Sequence, residues 1–339
     1  MIRKCARLAA MASVAAALLL SGAQAKTYKI DISLETGANH VRNEVMEDWA
    51  RNLEGASGGR LKLRLFHGAG RFKGADLATA LSQGTLDMGA PGHWHLGAIV
   101  PEFNLLFLPA FFGASREQIY AVMDGAIGRE LNQRIEKKLQ VKVIGRHFDL
   151  GYATMFTAEV PLTSHAGLVG LKMRVPGGPA ILKRYEVFGV RTVKVGWQNV
   201  PQALQRHLID GVLTTYDSVR SARLWEYGLK HALDDNQAFF QYVPMMSTRA
   251  WDGLPRDLQA LVVSSWEQRV DGMRKTAKER QASARLDAAR NGIETREATP
   301  EQLKAMRIRL LAVQPAIIEA LKLDAGFVKR ARAAIDKTM

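Results

Sequence analysis

The chain has a single cysteine, Cys5, among 339 residues. It falls inside an N-terminal segment that is expected to be removed, so the exported protein forms no disulfide and offers neither a cysteine nucleophile nor a thiolate metal site. Apolar runs long enough to cross a bilayer are also missing. The longest, Leu8 to Leu20, falls short of the ~20 residues that a spanning helix needs. Short catalytic signatures are absent as well: there is no GxSxG elbow on a strand-to-helix turn, no HExxH, no P-loop, and no carboxylate pair whose spacing signals acid–base work. No catalytic residue, no cofactor and no enzyme activity is therefore expected. Acidic residues are scarce, with 33 Asp plus Glu against 47 Lys plus Arg, a formal charge of +14. Nucleic acid, acidic surfaces and small anions are the partners such a balance raises. The basic residues are dispersed, however, and their densest cluster, Lys275 to Arg285, includes Glu279 and no aromatic residue. It reads as a solvated helix face, not as a nucleic-acid interface.

What the chain does have is an export signal. Arg3, Lys4 and Arg7 precede the apolar run, and Ala23-Gln24-Ala25 supplies small residues at a cleavage point. Residues 1–25 are expected to be a secretory signal peptide, cleaved after Ala25, with the mature protein starting at Lys26. An N-terminal membrane anchor is the alternative, and the length of the run argues against it. No cysteine stands at the cleavage point to carry a lipid, so a soluble protein of a bacterial periplasm is expected.

Beyond Lys26, Tyr28, Ile30, Ile32 and Leu34 alternate with polar residues and predict a half-buried strand. Val41, Val45, Trp49 and Leu53 then mark a helix ending near Gly58-Gly59. A strand at 61–66 and a helix over 75–83 complete a β-α-β-α opening, which implies a parallel sheet with crossover helices. Further strands are expected near 141–144, 192–195 and 212–215, and helices over 117–139 and 200–209. From Asp257 to about Arg290 the spacing predicts one long or kinked helix. Thr299-Pro300-Glu301-Gln302 marks another helix start, with a capping residue, proline at the first turn and Gln three residues after the cap.

Three constellations carry chemistry. Gly68, Gly70 and Gly74 follow a strand and open a helix, but their spacing departs from the dinucleotide fingerprint, and a connecting turn explains them better. His93-Trp94-His95, taken as an extended segment, would put both imidazoles on one face, yet no third ligand stands at a recognisable spacing. They are candidates for a cleft wall, and no metal is expected. Arg174 precedes Val175-Pro176-Gly177-Gly178. An arginine on such a turn can hold a carboxylate through its planar fork, and the alternative is an ordinary surface ion pair.

At this point the chain resembles the periplasmic solute-binding proteins of the tripartite ATP-independent periplasmic (TRAP) transporters, in their DctP-type family. The similar pieces run in order: GGRLKLRLFHGAG and ALSQGTLDMGA, then PEFNLLFLPAFF, GLKMRVPG, PQALQRHLIDGV and AWDGLPRDLQ. The resemblance implies an α/β fold, a two-lobe periplasmic binding protein of type II-like architecture with a long C-terminal helix spanning both lobes. It implies a receptor that captures an organic carboxylate between the lobes and delivers it to the membrane subunits of a secondary transporter, making and breaking no bond. The lobes are expected over 26–150 plus 241–280 and over 151–240 plus 281–339. On this chain the family's carboxylate-binding arginine falls on Arg174 and its aromatic wall on Trp197. Phe72, His93, Trp94 and His95 fall where the first lobe meets the ligand, and Tyr152, Thr214 and Tyr216 where the second does. Ala153 stands where many members carry a second arginine, Thr214-Thr215-Tyr216 where many carry an asparagine, and Asn199 where others have an acid. One arginine among aromatics implies a monocarboxylate with an apolar or aromatic body. A periplasmic sensor of the same fold, feeding a membrane kinase or chemoreceptor, is the alternative.

Mass spectrometry of the exported protein is expected to find Lys26 as the first residue; a terminus that keeps Leu8 to Leu20 would mean a retained anchor.

Overall fold

The computed structural model describes residues 26–336. The signal-peptide reading of residues 1–25 and the position of Cys5 lie outside them. The opening follows the expected order: β1 (Tyr28–Ser33), α1 (Val41–Ala56), β2 (Leu61–Phe66), α2 (Leu77–Ser82) and β3 (Met88–Gly89). β1 pairs in parallel with both β2 and β3. It is buried on both faces, not one, as in parallel sheets covered from both sides: Asp31 and Ser33 are buried along with Ile30 and Ile32. Asp31 is accommodated by charge, accepting from Arg64 at 2.7 and 2.8 Å and pairing with Arg71.

A helical turn, α3 (His93–Leu96), follows. The helix expected over 117–139 is two helices, α4 (Arg116–Met123) and α5 (Ala126–Leu139). The break sits at Gly125, whose backbone is extended at φ −85° and ψ −160°. A β-carbon on Gly128 would overlap the Met123 carbonyl oxygen, so glycine is what lets the second helix turn back so closely on the first.

β4 (Val141–Val143) closes one edge of the first sheet, and β12 (Met245–Ser247) inserts antiparallel between β3 and β4. The first sheet thus runs β2-β1-β3-β12-β4. The second is built from β6 (Thr154–Thr157), β7 (Lys172–Val175), β8 (Arg191–Lys194), β9 (Gly211–Thr214), β10 (His231–Asp234) and β13 (Glu294–Glu297), in the order β13-β10-β6-β9-β7-β8. It is flanked by α6 (Pro179–Val187), α7 (Val200–Gln205) and α8 (Tyr216–Ser221). Each sheet with its helices forms one lobe.

Among the described residues, four segments cross between the lobes, the last being the helix that follows β13. β5 (Phe148–Tyr152) and β11 (Phe239–Tyr242) form an antiparallel two-stranded ribbon. The third is a continuous 35-residue helix, α10 (Arg256–Arg290), preceded by the short α9 (Thr248–Asp252). It packs on α1 of the first lobe, on β5 and on α8 of the second lobe. Its sequence changes to match: Val262, Trp266 and Val270 are buried at one end, and only the small Ala284 and Ala288 at the other. α11 (Pro300–Ala320) starts with the expected capping box, Gln302 N donating to Thr299 Oγ1 and Thr299 N to Gln302 Oε1. It packs on α6 and on the turn at Pro109–Phe111, while α12 (Ala325–Asp336) packs on α4 and α5.

Trp266 anchors α10. It has no exposed surface, meets Trp49 edge-on at 5.2 Å and Phe148 at 5.4 Å, and donates from Nε1 to the Arg146 carbonyl at 2.9 Å. Trp266→Ala is expected to cost about 3–5 kcal/mol in urea unfolding, through the cavity it leaves and the orphaned carbonyl.

Candidate functional site

The alternation of β7 turns Met173 and Val175 into the core of the second lobe and leaves Arg174 on the other side, against the first lobe. A narrow hollow of about 30 Å³ lies there, between the C-terminal ends of strands from both sheets. From the second lobe it is lined by Arg174, Pro176, Trp197, Thr214 and Ser218, and from the first by Glu35, Thr36 and Trp94. Leu150, Phe240 and Tyr242 of the crossing ribbon close it.

Arg174 is 4% exposed. Its Nε donates to the Val195 carbonyl at 3.0 Å and its guanidinium stands 5.6 Å from the Trp197 ring. The two terminal nitrogens have no hydrogen-bond partner among the described residues. Burial pushes its pKa down to about 10, opposed by the negative charge of Glu35, so the fork stays cationic at neutral pH. A planar cation held at one corner, with its free edge toward a hollow, is suited to a carboxylate.

Trp94 forms the facing wall, packed on Phe240 at 4.8 Å and Tyr242 at 5.3 Å. Its Nε1 donates to His95 Nε2 at 3.1 Å, so His95 holds the indole. Gly177 and Gly178, at φ +121° and +86°, bring the turn after Arg174 against Trp94: a β-carbon on Gly178 would stand 3.5 Å from the Trp94 Cα. These glycines do serve close backbone approach, and what approaches is the other lobe.

The remaining expected residues are dispersed. Thr214 lines the hollow. His93 and His95 sit on the helical turn α3, not on an extended segment, and so point apart. His93 is fully buried and its Nε2 meets His147 Nδ1 at 2.9 Å, a hydrogen bond that leaves no space for an ion between them. Among the described residues no group of three His, Cys, Asp or Glu could hold a metal. Phe72 is not among the lining residues; its amide donates to Ser33 Oγ and its ring faces Arg71. Tyr152 and Tyr216 border a second hollow behind the ribbon. There Tyr152 donates to the Ala114 carbonyl and Tyr216 to Asp234, away from the hollow that holds Arg174. Glu35, Thr36, Phe240 and Tyr242 were not anticipated. The first two follow the C-terminal end of β1, where crevices open in α/β sheets, and that position was the available signal. The ribbon residues had none.

Behind the hollow the lobes are bonded directly. His40 Nδ1 accepts from Arg42 N, so Nε2 carries the proton and donates to Ser218 Oγ at 3.0 Å. Asp217 accepts from Val41 N at 2.8 Å. His40 is therefore a donor to Ser218 and not its base, and the Ser-His-Asp proximity is no nucleophile triad.

The family described as bacterial extracellular solute-binding protein, family 7, matches residues 32–319. The chain belongs to this family. Among its curated relatives are the 2,3-diketo-L-gulonate-binding periplasmic protein YiaO of Escherichia coli K12, 25% identical over 73% of each chain. The C4-dicarboxylate-binding periplasmic protein DctP of Rhodobacter capsulatus is 26% identical over 78% of each. The solved sugar acid binding protein DctPAm of Advenella mimigardefordensis, in complex with galactonate, superposes with a TM-score of 0.87 at 16% identity, covering 93% of this chain and 99% of that one. The two-lobe α/β architecture of TRAP solute-binding proteins is thus the fold of this chain.

Three buried histidines in this receptor, His40, His93 and His147, and the half-buried His95 have pKa values lowered by burial first of all, His40 to about 4 and His147 to about 3. The unfolded chain binds protons near pH 6.5 that the folded chain refuses, so stability is full above that pH and is lost as pH falls below it. Chemical denaturation is expected to show a loss of up to about 1.4 kcal/mol per pH unit each from His40 and His147 between about pH 6 and 4, and a shallower slope in His147→Gln; a flat profile would contradict their burial as neutral rings.

Proposed function

We infer that this protein is a periplasmic receptor that captures a small organic monocarboxylate between its lobes and presents the closed form to the membrane subunits of a TRAP transporter. The observation that carries the reading is the buried, unpartnered fork of Arg174, which faces a hollow with aromatic walls. The ligands named for its relatives, a diketogulonate, C4-dicarboxylates and galactonate, are all organic acids and support the same class. Trp94, Trp197, Phe240 and Tyr242 offer an apolar or aromatic body its contact surface, and Thr214 a hydroxyl. The lobes we assign are 26–150 with 241–280 and 151–240 with 281–299; the tail expected in the second lobe instead runs back along α11, because α12 packs on α4 and α5 of the first, and the signal is removed after Ala25. No cofactor enters this reading.

A charge-assisted bond from Arg174 to a carboxylate contributes roughly 1.5–3 kcal/mol. In calorimetry, Arg174→Ala is expected to weaken binding by about ten- to hundredfold or more, and Arg174→Lys to restore only part of it, since an ammonium lacks the fork. The ligand-free Arg174→Ala protein is expected to melt no lower than the parent, because a buried charge without an acid partner is a cost to the fold. Unchanged affinity for an acid that stabilises the parent would exclude the assignment.

A further inference from the structure

Glu35 shares the hollow with Arg174 and is 8% exposed. Its backbone carbonyl accepts from Gln198 Nε2 of the other lobe at 3.1 Å, but its carboxylate accepts no hydrogen bond among the described residues. The nearest cation is Arg42, whose Nη1 stands 3.9 Å away. Arg42 is itself fully buried and otherwise engaged: Nη2 donates to Thr36 Oγ1 at 2.9 Å, Nη1 to the Ala90 carbonyl at 3.4 Å, and the guanidinium lies 4.5 Å from the Tyr242 ring. Gly74 packs so closely on the carboxylate that a β-carbon there would overlap it, so that side is sealed by backbone.

A carboxylate nine-tenths buried and without a donor is costly, and the hollow is where a donor can reach it. The charges agree. Glu35 neutralises one of the two buried arginines beside the hollow, Arg42 and Arg174, and leaves one positive charge for one ligand carboxylate. A second ligand carboxylate near Glu35 would meet like charge in a poorly solvated place. We propose that Glu35 determines specificity: it accepts a hydrogen bond from a hydroxyl or ammonium group of the ligand while Arg174 takes the carboxylate. The substrate class is then a hydroxy- or amino-monocarboxylate, and dicarboxylates are excluded. This rests on the receptor reading given above. The competing role, a plain counter-ion for Arg42, leaves ligand discrimination untouched.

The test uses the mature protein, unfolded and refolded to strip carried-over ligand, and titrates it calorimetrically with matched acids on common skeletons of three to six carbons. Each set holds the parent monocarboxylate, its hydroxy acid, its amino acid and its diacid. The expected result is a hydroxy or amino member binding at least tenfold more tightly than the parent acid and the diacid of its set, the two arms telling hydroxyl from ammonium. Glu35→Asp, which keeps a charge for Arg42 but shortens the reach, and Glu35→Gln, which removes the charge, are expected to erase that preference. A parent acid or diacid that binds tightest to the parent protein, or an unchanged ranking in both variants, overturns the role of Glu35 while sparing that of Arg174. Should a variant fail to fold, the ranking in the parent protein decides. Binding of no acid at all overturns the receptor reading, and this inference with it.

Discussion

A guanidinium held out of water with no acid of the protein in ion-pairing contact is the constraint around which the cleft is built. Strand alternation places Arg174 opposite two core residues, Met173 and Val175, so it cannot retreat into its own lobe. The Val195 carbonyl fixes Nε and the Trp197 ring covers the group, which settles the orientation of the fork before any ligand arrives. Trp94 must then come close enough to exclude water, and this needs Gly177 and Gly178 in conformations that other residues resist. Electrostatic strength at the site follows from that dryness, since the same charge pair is worth far more away from bulk solvent.

The cost of the site is offset elsewhere, chiefly along α10. Arg274 donates to both oxygens of Asp124 at 2.7 and 2.8 Å and fastens the helix to the first lobe beside Trp266. Arg280 reaches Glu44 and Asp217, and Arg285 reaches Asp234, so the basic run that read as a solvated face spends part of its charge on tying the lobes to the helix. The ribbon is irregular where it crosses, with a register shift at Phe240–Gln241 beside Gly151 at φ +114°. Gln281, from α10, braces this point by donating to the Leu150 carbonyl at 2.7 Å.

Sequence pattern revealed what depends on local periodicity. The β-α-β-α opening, the long helix and the capping box at Thr299 were all visible, because each is set by residues a few positions apart. Arg174 and Trp197 were reached through resemblance, and Arg174 also through its own chemistry on a turn. Glu35, Phe240 and Tyr242 were not, because the hollow joins β1, the ribbon and the second sheet across separations, from Glu35 more than a hundred residues, that no local pattern records. The same limit explains Tyr152 and Tyr216: their positions in the chain are close to the cleft, but a one-residue step along a strand or a helical start sends a side chain to the opposite face. The break at Gly125 was hidden for another reason, since an amphipathic pattern continues through it while the backbone does not.

The lobes are joined here by bonds that involve no ligand, and this bears on how a ligand acts. A ligand shifts an equilibrium between open and closed forms only through contacts that differ between them, and its apparent affinity scales with the fraction already closed. His40 to Ser218 and Val41 to Asp217 join α1 and α8, the two helices on which α10 packs. Gln198 to the Glu35 carbonyl lies on the cleft itself, one residue from Trp197. That bond ties the two ligand-facing groups of opposite charge to one another through the backbone. Engagement of Arg174 and its neighbouring ring therefore draws Glu35 into register, and a group that satisfies Glu35 steadies the wall over Arg174. The closed state is thus stabilised most by a ligand that fills both places at once.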